Sequence, residues 1–444
     1  MKDLTLIYNA RLVDKNIDVK NGAVLISGSK IVGFPSKETV KQMLSDDNVS
    51  KFNAGGAVLM PGFIDMHAHF RDPGLTQKED IVTGSMAAAA GGYTTCVLMP
   101  NTSPVVSSLE MALKNNQKAA EAGYCNVIQS VSITKDFDGK TLSHLDELNS
   151  KSVPVITEDG KEVASSAVML EAMKKAAAKK IIVSCHCEDP SLAAAAKPFR
   201  QKALELLKSG KPTAAEKKEA AANLKQANVL LKLAEDTATL RNIELAKEAG
   251  CHLHLCHVST KTCLDAVRRA KKDGMNITCE VTPHHLGLSG EKIPEIFNVV
   301  NPPLRSEEDR LACVQALSDG TADVIATDHA PHTMEDKKNG SPGFSGLETS
   351  FALSYTTMVK NGSMKLKQLS ELMSARPADI LGLKNKGLLE EDYTADLVLV
   401  DVDAQYTVHG EEFASKGKFT PLENKKLSGV IKATFVNGRI VFQD

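Results

Sequence analysis

The sequence is poor in the features that direct a chain to a membrane, a nucleic acid or the cell exterior. Its formal net charge is only −2 over 444 residues, which argues against a nucleic-acid or membrane-surface role. No apolar run is long enough to span a bilayer. Residues 1–8 alternate like a strand and lack the apolar centre of a signal peptide. The nine cysteines are an odd number, and Cys96, Cys185, Cys256 and Cys279 sit inside apolar runs. That pattern predicts buried reduced thiols and no disulfide framework. No Gly-x-Gly-x-x-Gly loop follows the first strand of the main body, which weighs against an open doubly wound sheet. Together these absences predict a cytoplasmic protein that binds neither nucleic acid nor membrane.

What is present is a rhythm. A chain of this length predicts one large domain and a smaller one. From about residue 60, apolar runs rich in β-branched residues recur at 59–66, 93–99, 126–133, 153–157, 181–185, 252–256, 277–281 and 323–326. Stretches of helical composition separate them, among them 76–90, 109–122 and 166–179. Eight alternating strand and helix units predict an α/β fold, a (β/α)8 TIM-type barrel. The two ends read differently. Short β segments at 4–13, 23–26, 30–34, 396–402 and 429–442, the last with an Asn437-Gly438 hairpin signal, predict a small β-sandwich-like domain built from both termini. The expected organisation is residues 1–60 and 388–444 for the small domain and 61–387 for the barrel. An insertion at about 190–235, rich in Ala and Lys and broken at Gly210 and Pro212, reads as a solvated helical addition on the barrel rim.

Barrel strands end on one rim, where barrel enzymes keep their sites. The first run closes with His67 and His69, which alternate and so share a strand face. The other runs end in Met99-Pro-Asn101-Thr102, Glu158-Asp159-Gly160, Cys185-His186-Cys187-Glu188, His257-Val-Ser-Thr260 and Thr327-Asp328-His-Ala-Pro-His332. Four histidines and two aspartates at strand ends make a nitrogen and oxygen donor set large enough for two divalent ions. Two ions about 3.5–4 Å apart can activate one water and polarise a carbonyl together. Asp328 beside that water could take its proton and pass it to a leaving nitrogen. Plainer readings stand beside these. Asp159 could simply cap the next helix. His252 and His254 fall before the strand end and read as core residues, and His284 and His285 as structural or supporting ones. His144 and His409 read as surface residues, and Cys185 and Cys187 as packing on the face away from His186.

The run His67-Ala-His69-Phe-Arg71-Asp-Pro-Gly74, taken with Met99–Thr102, Thr157–Gly160, His257–Thr260, Asn301-Pro-Pro-Leu-Arg305, Thr327–His332, Gly346-Leu-Glu-Thr349 and the segment 395–401, resembles the bacterial class I dihydroorotases of the amidohydrolase superfamily. Single motifs are shared with hydantoinases and allantoinases, but the full set is specific. The resemblance implies that His67, His69 and Asp159 hold one ion, with Asp328 sharing it, and that His186 and His257 hold a second bridged by Asp159. It implies Zn2+, one or two ions per subunit. Arg71, Asn101 and His332 resemble the groups that grip the substrate's carboxylate, and Asn301 a further contact on the ring. The implied reaction is reversible cyclisation of N-carbamoyl-L-aspartate to L-dihydroorotate in pyrimidine biosynthesis. A homodimer and association with aspartate transcarbamoylase are the implied partnerships. The alternatives are a hydantoinase- or allantoinase-type cyclic amide hydrolase and a non-catalytic scaffold subunit.

The residues support the anionic substrate independently, because a guanidinium binds carboxylate through paired hydrogen bonds. Arg71 lies two residues beyond His69, on the same face if the extended geometry continues. Three features depart from the family pattern. The fourth strand ends in Asp159, with Glu158 expected to face away, where many superfamily members carry a carboxylated lysine. The run Ser341-Pro-Gly-Phe-Ser345 is shorter than the common loop, and the long insertion follows strand five. The polar segment 330–346 is expected to close over bound substrate.

Overall fold

The computed structural model describes residues 4–291 and 299–444, so the first three residues of the strand-like alternation read over 1–8 lie outside it, whereas the β segment expected at 4–13 lies within it. Eight parallel strand positions form the barrel: Phe63–Ala68, Tyr93–Leu98, Asn126–Gln129 continued by Val131–Ser132, Val155–Thr157, Ile182–Cys185, Leu253–Leu255, Ile277–Val281 and Val324–Ile325. The third position is split at Ser130. Its first half pairs with the second strand and its second half with the fourth. Closure comes from a parallel bridge between Ala68 and His329, with His69 N–H donating to the His329 carbonyl at 2.8 Å.

Alternation sorts the side chains. Ile64, Met66, Val97, Met99, Val155, Ile182, Val324 and Ala326 form one apolar cluster inside the barrel, joined by Ala378 and Leu381. Residues of the opposite parity, such as Cys96, Leu98, Val183, Leu255, Cys279 and Ile325, pack outward against the surrounding helices. Two of those helices occupy the expected positions, Leu109–Ala122 and Ser166–Lys179, each opened by a serine whose hydroxyl accepts a backbone N–H. The first barrel helix instead starts at Ile81, because Asp80 caps it with its side chain and Thr83 completes the capping box. Residues 76–80 are thereby released to the loop.

The run expected as one strand at 59–66 is two. Val58–Pro61 belongs to a separate sheet, and the barrel begins at Phe63. Gly62 makes the transition: its N–H donates to Asp396 O at 2.8 Å, and a Cβ there would lie 2.2 Å from the Thr94 side chain. The separate sheet has eight strands and draws on both chain ends: Leu4–Val13, Asp18–Ser27, Lys30–Gly33, Val49–Asn53, Val58–Pro61, Leu397–Thr407, Lys426–Val436 and Arg439–Gln443. Val58–Pro61 runs antiparallel to Leu397–Thr407, with Pro61 opposite Leu397. Asn437 and Gly438 both take positive φ in the two-residue turn between Val436 and Arg439, as a primed hairpin turn requires.

After strand five the chain forms two packed helices, Pro190–Leu207 and Ala214–Ala249, broken where Gly210 has φ +69° and Pro212 follows. The pair is less solvated than its composition suggested. Ala203, Leu207, Ala220 and Leu224 bury one another, Leu204 packs on Val299, and Arg200 donates to Val300 O at 3.1 Å. Its first helix therefore lies against the segment that leads to Asn301.

Gly74, which ends the His-x-His motif, has φ +83°, and a Cβ there would fall 1.6 Å from the Ser103 carbonyl oxygen. Gly74→Ala is expected to cost about 2–4 kcal/mol, read as a lowered thermal midpoint, whereas Gly123→Ala, with φ +76° and open space, should cost about 1 kcal/mol.

Candidate metal centre

The predicted ligand residues meet at the barrel mouth. His67 sits on the first strand, buried, with Nδ1 2.7 Å from Glu280 Oε1. Because a carboxylate accepts, that contact places the proton on Nδ1 and leaves Nε2 as a lone pair. His67 Nε2 then lies 3.3 Å from Asp159 Oδ1 and 3.5 Å from Asp328 Oδ1. His69 does the same with a different partner. Its Nδ1 is 2.9 Å from Asn101 Oδ1, and its Nε2 is 3.1 Å from Asp328 Oδ1 and 3.4 Å from Asp159 Oδ2. On the far side, His186 Nδ1 and His257 Nε2 are 2.8 Å apart and lie 3.6 and 3.9 Å from Asp159 Oδ1. Asp159 is thus approached by four imidazoles.

These spacings fit metal ligands. Two donors each ~2.0–2.1 Å from one ion at the tetrahedral angle stand about 3.3 Å apart. His67 Nε2 and Asp159 Oδ1 are buried without a hydrogen-bond partner among the described residues, as atoms aimed at an ion would be. The triplets His67–His69–Asp328 and His67–Asp159–His257 each bring three donor atoms within 4.8 Å of one another. Cys256 also lies near His67 and Glu280, where Glu280 already takes His67 Nδ1. Burial pushes its thiol up to about 12, and Ser184 Oγ contacts it at 2.9 Å. The donor set is nitrogen and oxygen without thiolate, which suits a divalent ion such as zinc.

Electrostatics follow from the enclosure. Burial alone would raise Asp159 and Asp328, but the surrounding imidazoles outweigh it and hold both well below the ordinary carboxylate range. Glu280 is likewise held low against burial by His67 and His254. Burial, His186 and His67 push His257 down to about 4, whereas Glu188 and Asp159 overcome burial at His186 and lift it to about 9. His257, Asp328 and Arg71 all take positive φ, a backbone region that costs roughly 1–3 kcal/mol per non-glycine residue and clusters at functional sites.

The expected substrate groups border this centre. The positive φ of Arg71 ends the extended geometry, so it does not continue the His67–His69 face as alternation suggested. The turned backbone nevertheless leaves Arg71 Nη2 3.4 Å from His332 Nε2, and Arg71 Nε has no partner among the described residues. His332 Nε2–H donates to Pro342 O at 2.9 Å. Burial with Arg71, Lys337 and Lys78 nearby holds His332 neutral, down to about 3. Asn301 donates from Nδ2 to Glu188 Oε1 at 3.0 Å, and its Oδ1 has no partner among the described residues. The segment 330–346 is already pinned: Lys337 is fully buried, and its ammonium donates to the carbonyls of Val299, Ser341 and Gly343.

Several residues fall where the plainer readings put them. Glu158 turns away and accepts from Thr134 N at 2.8 Å. His254 bridges Thr278 and Glu280 at 2.8 and 3.1 Å, and His252 meets Thr278 at 2.9 Å. His285 is engaged at both nitrogens, by Thr282 Oγ1 and Pro302 O. His409 is exposed, but His144 is half-buried against Ser132 O. Glu280 and Glu188 were not anticipated. Glu280 could have been noticed, since it interrupts the apolar run Ile277–Val281 with a charge at inward parity.

A family model described as the amidohydrolase family matches residues 58–441. A dihydroorotase of Clostridium botulinum (strain Eklund 17B / Type B) is 42% identical over 439 residues, covering 99% of each chain. A dihydroorotase of Bacillus subtilis (strain 168) is 37% identical over 448 residues, covering 99% of this chain and 98% of its own. Among solved structures, the L-hydantoinase (dihydropyrimidinase) from Arthrobacter aurescens matches with a TM-score of 0.84 at 25% identity, covering 100% of this chain and 96% of that one. The dihydropyrimidinase from Brevibacillus agri NCHU1002, at 22% identity and a TM-score of 0.82 over 99% of this chain and 95% of its own, shares the fold.

Because Glu280 fixes the tautomer and direction of His67, Glu280→Gln should lower affinity for a divalent metal by roughly 10–100-fold. Metal retained after titration with a chelator, in variant and parent, measures this.

Proposed function

The chain belongs to the amidohydrolase family, and from that premise we propose that it works as a dihydroorotase, interconverting N-carbamoyl-L-aspartate and L-dihydroorotate by closing and opening a cyclic amide. Full-length likeness to dihydroorotases supports the reaction. The observation that carries the choice of substrate is Arg71, a buried guanidinium at the rim of the centre with Nε unpartnered among the described residues. A buried cation is costly unless an anion meets it, and the substrate's carboxylate is that anion. Neutral hydantoins would not repay it. The complete donor set argues in the same way against a non-catalytic scaffold.

In this reading His67, His69, Asp159 and Asp328 would hold one ion, and His186 and His257, together with Asp159, would hold a second. The ion is Zn2+, one or two per subunit. When bound it supplies Lewis acidity toward a water and toward the scissile carbonyl. The protein's own groups do the rest. Asp328 takes the proton from the attacking water and delivers it to the departing ring nitrogen, and it works in reverse during ring closure. Arg71 grips the carboxylate, with Asn101 and His332 beside it, and so fixes which carbonyl faces the centre. Asn101 also holds His69 through Nδ1, so one side chain ties the anion pocket to a metal ligand. Asn301 offers its free Oδ1 to a ring N–H. Near-neutral charge and the lack, among the described residues, of any helix long and apolar enough to cross a membrane are compatible with cytoplasmic work. We extend the reading to a homodimer and to association with aspartate transcarbamoylase.

Purified protein loaded with zinc should hydrolyse L-dihydroorotate to carbamoyl aspartate and leave a neutral hydantoin unchanged; the opposite preference would overturn the reading. Arg71→Met should lower kcat/KM on dihydroorotate by about 10²–10³-fold, mostly through KM. Asp328→Asn should lower kcat by about 10²–10⁴-fold with the fold intact by circular dichroism.

A further inference from the structure

One buried group bordering the centre has no part in the account above. His284 lies just past the seventh strand, on the short helical turn Pro283–Gly287, and is 2% exposed. Both of its ring nitrogens lack a hydrogen-bond partner among the described residues. Among the described residues no other buried histidine is free at both. Its neighbour His285 shares the turn and the burial, yet each of its nitrogens is engaged. Buried polar atoms without partners are rare and call for an explanation.

The location supplies one. Burial, then His285, His257 and His67, keep its ring neutral against the opposing pull of Asp328, and the last three of these groups belong to the metal centre. The other unpartnered buried atoms include Arg71 Nε, Asn301 Oδ1, His332 Nδ1, His67 Nε2 and Asp159 Oδ1, which belong to the same mouth. Two rings lie beside His284, His285 at 4.6 Å and tilted, and Phe344 at 5.1 Å and edge-on, between centroids. Phe344 comes from the run Ser341–Ser345 that departs from the family pattern. Its carbonyl is held by Ala330 N at 2.9 Å, so Phe344 is tied to the loop that carries Asp328. A neutral imidazole offers one N–H and one lone pair. A cyclic ureide presents a carbonyl that can accept from that N–H.

We propose that His284 is a substrate contact that positions the ureide edge of the ring, donating one hydrogen bond from its N–H to a ring carbonyl. The proposal rests on the dihydroorotase reading for the identity of the ring. With Arg71 holding the carboxylate, this second contact fixes the ring's rotation over the metal centre, which one ion pair cannot do.

The test uses zinc-loaded full-length protein with His284→Leu and His284→Asn. His284→Leu should raise KM for dihydroorotate about tenfold, as for one lost hydrogen bond in a desolvated site, with kcat changed less than about threefold. The thermal midpoint of the metal-loaded, substrate-free variant should hold or rise, because a shape-filling apolar group replaces an unsatisfied polar one, and metal content should be unchanged. His284→Asn, which keeps a donor and an acceptor, should recover part of the loss. An unchanged KM in His284→Leu, equal KM values in the two variants, or a fall in thermal midpoint together with lost metal would each overturn the assignment. Parent protein inactive on dihydroorotate overturns the parent reading and this one with it, whereas an active parent with an indifferent His284→Leu overturns this one alone.

Discussion

Everything at the barrel mouth is arranged around the carboxylate of Asp159. It is buried, and imidazoles from the first, fifth and sixth strands reach it within 3.3–3.9 Å. An isolated carboxylate in that position would be neutralised by protonation, so its ionisation depends on the neighbours that the strands bring in. The neighbours in turn need orientation. Glu280 and Asn101 take the outer nitrogens of His67 and His69, which turns both inner nitrogens toward Asp159. Strand register, ligand tautomer and backbone strain at His257 and Asp328 are consequences of one requirement, that a buried negative charge be surrounded. Breaking any single partner would leave a charge uncompensated, the costliest state for such a cluster.

The fold shared with hydantoinases does not distinguish a charged substrate from a neutral one. That distinction lies in side chains beyond the strand ends, on loops that the barrel leaves free to vary. Arg71 belongs to the loop after strand one. His332, Phe344 and the buried ammonium of Lys337 belong to the loop after strand eight, which is stitched to Val299 and so to the segment bearing Asn301. The helical insertion joins the same assembly through Arg200 and Leu204. A part of the chain that looks peripheral thus supports the segment carrying a candidate substrate group.

The barrel was legible because its two periodicities are strong. Residues 109–122 and 166–179 have helical composition flanked by serine caps, and the apolar strand runs are bounded by turns. The six ligand candidates were legible because chemistry-bearing residues fell repeatedly at strand ends. Other features depended on partners far along the chain. The switch of sheets at Gly62 is set by Asp396 and Thr94, which local alternation cannot show. Arg71 departs from the extended face because its backbone turns, and nothing in His-x-His-x-Arg requires that turn. Glu280 stood out as a charge inside an apolar strand, but its partner His67 lies 213 residues away, which no local pattern can show.

The eight-stranded sheet joins the two ends of the chain, and this has a consequence for synthesis. Pro61 faces Leu397, so at ~5–20 residues per second the ribosome needs roughly 20–70 s to deliver the partner strand. Throughout that interval Val58–Pro61, whose side chains are all buried in the finished protein, presents an apolar open edge. Such an edge can be claimed by another nascent chain. The first three strands and Val49–Asn53 can pair locally, but the barrel stays unanchored on that side until the last fifty or so residues arrive. A truncation near the C-terminus would therefore injure the protein far from its catalytic mouth, by leaving the beginning of the chain without its end.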